Sequence, residues 1–185
     1  LVLVAGIDTT WSAIASSLWH LATNPKDLER LVNEPELMPL AVEEFLRYYS
    51  PVTMARLVKE DFDFHGHEMK KDDWVLLPFP AANRDPAEWE DADKVIIDRE
   101  VNRHAAFGLG IHRCLGSNLA RLELRVAVEE FLDDDAIARR AHGVRHHEAL
   151  DRVVRFLLGH GHNHALARCE AVGLHDDRCA LGVDV

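Results

Sequence analysis

The chain has 185 residues, 48% of them hydrophobic and 29% charged, which is enough for a buried core and the usual size of one domain. Its 32 acidic against 21 basic residues leave a formal net charge of -11, and no basic stripe is present to neutralise phosphates, which excludes a nucleic-acid binder. Three cysteines, Cys114, Cys169 and Cys179, and no secretory signal fit a reducing, cytoplasmic setting without a disulfide framework.

Residues 1–5 are apolar but are broken by Gly6 and Asp8, too soon to span a membrane. With no initiator methionine, Leu1 opens in mid-pattern and reads as the start of an internal or truncated product. Helical spacing of Trp11, Ile14, Leu18 and Leu21 predicts a helix over residues 1–23, and Asn24-Pro25 both stops it and caps the next. Within it, Gly6, Asp8, Thr9 and Thr10 are poor helix formers. A threonine hydroxyl there can take over a carbonyl from the helical ladder and open a polar notch in an apolar wall.

Pro25–Asn33 and Met38–Tyr48 read as two further helices, the second ending before Pro51. Glu44 and Arg47 in E-E-F-L-R lie on one helical face, and such a pair is usually a solvated bridge of little energetic worth. After Pro51 the pattern changes to strand-like runs at 52–58, 62–65 and 74–77, separated by turns at His65-Gly66-His67 and Lys71-Asp72-Asp73. His65 and His67 are read as polar turn residues, because no partner cluster accompanies them. Residues 83–93 form an irregular acidic stretch.

Residues 104–123 then read H-A-A-F-G-L-G-I-H-R-C-L-G-S-N-L-A-R-L-E. Gly108 and Gly110 make a loop that delivers Cys114 just ahead of a helical run marked by Leu115, Leu119, Leu122 and Val126. A helix N-terminus offers unpaired amides and the positive end of a dipole, both of which favour a thiolate. With Gly116 beside it, a large flat ligand can approach the sulfur. A lone intracellular cysteine is otherwise a small buried apolar residue. Here the stretch resembles the heme-binding loop of the cytochrome P-450 family, F-x-x-G-x-x-x-C-x-G, at Phe107, Gly110, Cys114 and Gly116. His104, His112, Leu119, Ala120, Arg121 and Glu123 fit its bacterial form.

The resemblance covers residues 1 to about 132 and implies the C-terminal half of that fold, mainly α with small β-sheets. It implies a heme-thiolate monooxygenase with Cys114 as axial ligand of heme b iron, and Phe107, Gly108 and Gly116 against the cofactor. His112 and Arg56 would bind heme propionates, to which an arginine fork is suited. Asp8 would belong to a proton relay and Thr9 would hydrogen-bond bound oxygen. Val52, Thr53, Met54 and Ala55 would line the side of a small apolar substrate. Glu44 and Arg47 would be buried and joined by Arg99, holding the cysteine loop in place. Electrons would come from NAD(P)H through a ferredoxin reductase and a ferredoxin, docked near Arg113.

From Asp133 the composition shifts to a tail that holds seven of the twelve histidines: His142, His146, His147, His160, His162, His164 and His175. The expected tail is frameshifted or fused sequence of unknown fold, with a helical pattern over residues 136–158. Two other functions stay open at this point. One is a remnant of the family without catalysis. The other is a metal-binding or interaction module in the tail, where His142 and His146 have helical ligand spacing but no C-x-x-C or H-E-x-x-H accompanies them.

Overall fold

The structure, a computed structural model, describes the backbone of residues 2–142 and the side chains of residues 5–133. These residues are mainly α-helical with two small antiparallel sheets. Helix α1 (Val2–Thr23) is followed at once by α2 (Pro25–Asn33) and, after a 3-10 turn at Pro35–Leu37, by α3 (Met38–Tyr48). The break between α1 and α2 is local chemistry: the Asn24 backbone N–H and side-chain amide both donate to the His20 carbonyl, at 2.8 and 2.9 Å. Pro25 then starts α2 with its φ already helical, and Asp27 places a negative charge in the first turn.

Strand β1 (Thr53–Leu57) pairs antiparallel with a strand far along the chain, β4 (Trp74–Pro78), in the register Thr53↔Pro78 to Leu57↔Trp74. Between them β2 (Phe62–Phe64) and β3 (His67–Met69) form a hairpin. The sequence expectation put His67 in the turn; it is the first residue of β3, opposite Phe64. His65 (φ 53°) and Gly66 (φ 86°) complete the reversal in two residues, the positive-φ pair of a tight hairpin. Asp63 Oδ1 accepts the Gly66 N–H at 3.0 Å and steadies that turn. A four-residue helix, α4 (Phe79–Ala82), follows β4 directly.

The last element, α5 (Ser117–His142), packs on α1, α2 and α3. Its buried stripe is Leu124, Val128, Phe131 and Leu132. The stripe singled out by spacing faces the other way: Leu119, Leu122 and Val126 are exposed, as is Leu115 just before the helix. Both stripes have helical periodicity, and the packing of α1 and α3 decides which is covered. The core between these helices also takes Leu18 and Leu21 from α1, Leu28 and Leu31 from α2, Ala41, Val42 and Phe45 from α3, and Ile97. Burying a side chain of leucine or phenylalanine size stabilises by roughly 1.5–3 kcal/mol, so this cluster holds the helices together.

A histidine brings polar contacts to the edge of this core. His20 is buried, with Nδ1 2.9 Å from the Tyr49 hydroxyl and Nε2 2.8 Å from Asp27 Oδ2, so it ties the ends of α1, α2 and α3. Burial, with Tyr48 close by, pushes the Tyr49 hydroxyl up to about 12. The expected boundary after Leu132 falls inside α5, which runs on to His142. The remaining tail, with the helical pattern beyond 142 and the other six histidines of that segment, lies outside the described residues. Among the described residues no helix is long and apolar enough to cross a membrane.

Candidate functional site

The cysteine loop is closed by its own backbone. Gly108 N–H donates to Ala105 O (2.9 Å) and Arg113 N–H to Gly110 O (3.2 Å), and Cys114 N–H reaches back to Phe107 O (2.9 Å). Two of these turns need positive φ, 70° at both Gly108 and Gly110. At Gly108 a side chain would also meet the Phe79 ring of α4, 3.6 Å from the position of a Cβ. The result presents Cys114 three residues ahead of α5 with its side chain exposed. Beside it the backbone is bare: among the described residues, chain neighbours aside, a Cβ built on Gly116 would meet only the Cys114 sulfur, at 3.9 Å. The apolar side chains of the same loop have little cover: Ile111 is 97% exposed, Leu115 100% and Leu109 73%.

Behind the loop lies a buried ionic knot. Glu44 and Arg47 on α3 are both fully buried. Arg47 donates through Nε and Nη2 to the two Glu44 oxygens, 2.8 Å each. It also donates to the carbonyls of Asn83 (2.7 Å), Ala92 (2.9 Å) and Lys94 (2.7 Å). Glu44 further accepts Arg99 Nε (3.1 Å), the Ile96 N–H (2.8 Å) and Asn102 Nδ2 (3.0 Å). Two side chains one helical turn apart thus hold the irregular stretch from Asn83 to Asn102 against α3. Spacing alone makes this pair a solvated bridge; the chain folding back over it makes it buried. Asn83 extends the network to the loop, its Oδ1 accepting the Ala105 N–H at 2.7 Å.

A second clamp went unassigned in the sequence. Glu43, next to Glu44 but on the side facing α5, accepts Arg121 Nε (2.5 Å) and Nη2 (2.8 Å) and lies 3.0 Å from His104 Nε2. Its only signal there was the doubled glutamate. Burial pushes the Glu43 carboxyl up, but the hydrogen bonds from His104 and Arg121 outweigh it and hold the group at about 2. A carboxyl whose folded value lies below its unfolded value contributes stability that is present above the unfolded value, about 4.3, and is lost as pH falls through the folded one. Glu43→Gln should therefore flatten the fall in unfolding free energy between about pH 4.3 and 2. Urea titrations over that range would check it, and parallel curves for the two proteins would refute it.

The other sequence-derived site residues stand apart. Thr9 is exposed on α1, with its hydroxyl donating to Ala5 O at 2.9 Å. The helix runs unbroken through this segment, so the expected notch amounts to a shared carbonyl, not a gap in the winding. Asp8 is exposed one residue earlier, and its carbonyl takes the Ser12 hydroxyl at 2.7 Å. Arg56 is exposed on β1 and bonds its neighbour's carbonyl, Ala55 O, at 2.8 Å. His112 ends the 3-10 turn Gly110–His112 and faces solvent, and Phe107 is half-buried against the core. No hydrogen bond links Asp8, Thr9, Arg56, His112 and Cys114 to one another among the described residues.

Comparison with known proteins decides the family. The cytochrome P450 family model matches residues 1–134. The chain belongs to the cytochrome P450 family. It is 43% identical over 134 residues to the polyketide biosynthesis cytochrome P450 PksS of Bacillus subtilis strain 168, covering 71% of this chain and 33% of that one. The solved structure of PksS matches with a TM-score of 0.69, over 71% of this chain and 34% of that chain. The steroid C26-monooxygenase of Mycolicibacterium smegmatis is 41% identical, over 71% of this chain and 33% of that enzyme. CYP109E1 from Bacillus megaterium, solved in complex with corticosterone, matches with a TM-score of 0.69 at 41% identity, over 71% of this chain and 36% of that one.

This P450 chain therefore spans about a third of the length of the curated relatives it matches. The family implies a heme cofactor, and the loop fits one. A single soft sulfur stands beside a glycine whose missing Cβ leaves room for a flat group, in a loop whose apolar side chains are uncovered. Among the described residues there is no cluster of three or more histidines, cysteines or carboxylates that would suit a bare ion instead.

Proposed function

We propose that the chain carries the heme-binding and oxygen-facing part of a bacterial, cytoplasmic heme-thiolate monooxygenase that inserts one oxygen atom into a small apolar substrate. The observation that carries this reading is the Cys114 side chain, exposed between two loop glycines and the start of α5. Cys114 would hold the iron of heme b, which when bound supplies the oxygen-activating redox chemistry. Phe107, Gly108 and Gly116 would lie against it. Arg56 and His112, both exposed and without an acidic partner among the described residues, would bind its propionates.

On α1, the Thr9 hydroxyl spends its proton on Ala5 O and keeps its lone pairs, so it can accept a hydrogen bond from a group beside the helix. Asp8, one residue earlier, would pass protons to the same place. Glu44, Arg47 and Arg99 act behind the loop and keep it rigid. Electrons from NAD(P)H would arrive through a ferredoxin reductase and a ferredoxin seated near Arg113. The apolar substrate class accords with the polyketide and steroid named for the relatives.

A second reading is a cysteine loop without catalysis, and it is favoured by the lack of cover on Ile111 and Leu115. An optical spectrum of the purified chain, given heme, reduced and exposed to carbon monoxide, separates the two. A strongly red-shifted Soret band is the expected result. A spectrum without that band would leave only the second reading.

A further inference from the structure

Glu43 is not needed for the buried knot that Glu44 and Arg47 form, yet its contacts fall at both ends of the cysteine loop. At the C-terminal end, Arg121 sits one turn into α5 and presents Nε and Nη2 to the two Glu43 oxygens, while its Nη1 lies 3.3 Å from Ser117 O. At the N-terminal end, His104 Nδ1 accepts the Ala106 N–H at 3.1 Å. That contact puts the ring proton on Nε2, where it points at Glu43 Oε2. Between the two lies Phe107. The Arg121 guanidinium covers its ring at 4.6 Å and the His104 ring lies 6.0 Å from it.

Phe107 also supplies the carbonyl that receives the Cys114 N–H. A path of direct contacts thus runs from Glu43 through Arg121 and His104 to Phe107, and from there to the cysteine backbone. We propose that Glu43 is a positioning residue for Cys114, holding the Phe107–Cys114 hydrogen bond closed by gripping His104 and Arg121 at once. The inference rests on Cys114 being the heme ligand only for its functional consequence; the positioning itself is a property of this chain. A carboxylate is required, because it alone offers two acceptor oxygens to donors on both sides. A glutamine would set its own N–H group against one of them. Glu43 and Arg121 are each about a quarter exposed, so losing the contact loosens the loop without dismantling the core.

The test uses the full chain in a Cys169→Ser, Cys179→Ser background, comparing Glu43→Gln and Arg121→Lys with the parent. Amide hydrogen exchange at Cys114 is read beside that at Leu18 and Leu21 in the core. Losing one charge-assisted hydrogen bond should speed Cys114 exchange by roughly tenfold beyond any rise at the core amides, which follow the global stability lost with the Glu43 carboxylate. Arg121→Lys, which keeps the charge and loses the fork, should act the same way. Cys114 should also alkylate with iodoacetamide at an altered rate in both variants. Unchanged exchange at Cys114 would overturn the proposal, as would a rise matched by Leu18 and Leu21, which would mean general destabilisation. Where the parent gives the red-shifted carbonyl spectrum, both variants should show that band diminished. If the parent gives none, the heme reading fails while the exchange result still decides the role of Glu43.

Discussion

Glu44→Ala should cost about 3–5 kcal/mol of folding stability, the penalty for leaving one member of a buried pair behind. In the parent, one carboxylate collects five donors: two from Arg47, and one each from Arg99, Asn102 and the Ile96 backbone. Removing it strands the Arg47 guanidinium at zero exposure and leaves the Ile96 N–H without an acceptor. An isolated buried pair is often replaceable by two apolar side chains. Here Glu44→Leu with Arg47→Met should not restore stability, because the carbonyls of Asn83, Ala92 and Lys94 would lose their donor. Urea unfolding followed by circular dichroism measures both variants. A loss below about 1 kcal/mol for Glu44→Ala would mean that the segment from Asn83 to Asn102 is held by something else.

Cys114→Ser should do the opposite, leaving the fold intact and removing the proposed heme ligand. The substitution keeps the side chain's shape, and the Cys114 N–H still reaches Phe107 O because that bond is made by the backbone. The side chain is exposed, so unfolding free energy should stay within about 0.5 kcal/mol of the parent. A serine oxygen is a harder donor than sulfur and at neutral pH keeps its proton. Heme affinity should therefore fall by more than the roughly 10–100-fold typical of losing a supporting residue. The strongly red-shifted carbonyl Soret band should vanish. Heme titration and the carbonyl spectrum of both proteins check this, and a variant that kept the band would remove Cys114 from its assigned role.

Much of the fold was legible along the chain. Helices α1 to α3 lie where apolar spacing and Asn24-Pro25 place them, since their signals are local. Turn chemistry marked the reversal after β2, but the strand that follows it, β3, carries no strand pattern of its own: three residues are too few to show alternation, and the expected turn took in His67, where β3 begins. The cysteine loop was legible as a motif because its residues answer to short-range demands. Gly108 and Gly110 take positive φ, and Cys114 closes on Phe107 only seven residues away.

What depended on distant parts of the chain was not legible from spacing and propensity; the burial of Glu44 and Arg47 with Arg99 beside them was expected only from the family resemblance. α5 carries two apolar stripes of equal periodicity, and only the approach of α1 and α3 selects Leu124, Val128 and Phe131 over Leu119 and Leu122. E-x-x-R spacing by itself describes a solvated pair. Its burial comes from residues 83 to 102 folding back over α3, bringing carbonyls that lie 36 to 47 positions along the chain onto one guanidinium. Glu43 gave no sign beyond being a second glutamate, because His104 and Arg121 lie 61 and 78 positions away. By itself, then, the sequence determined helices α1 to α3, the start of α5, the turn after β2 and the loop that presents Cys114, all set by neighbours within a few residues. The tertiary structure alone decided which charges are buried and what grips the loop, because desolvation and long-range hydrogen bonds exist only once the chain has folded back on itself.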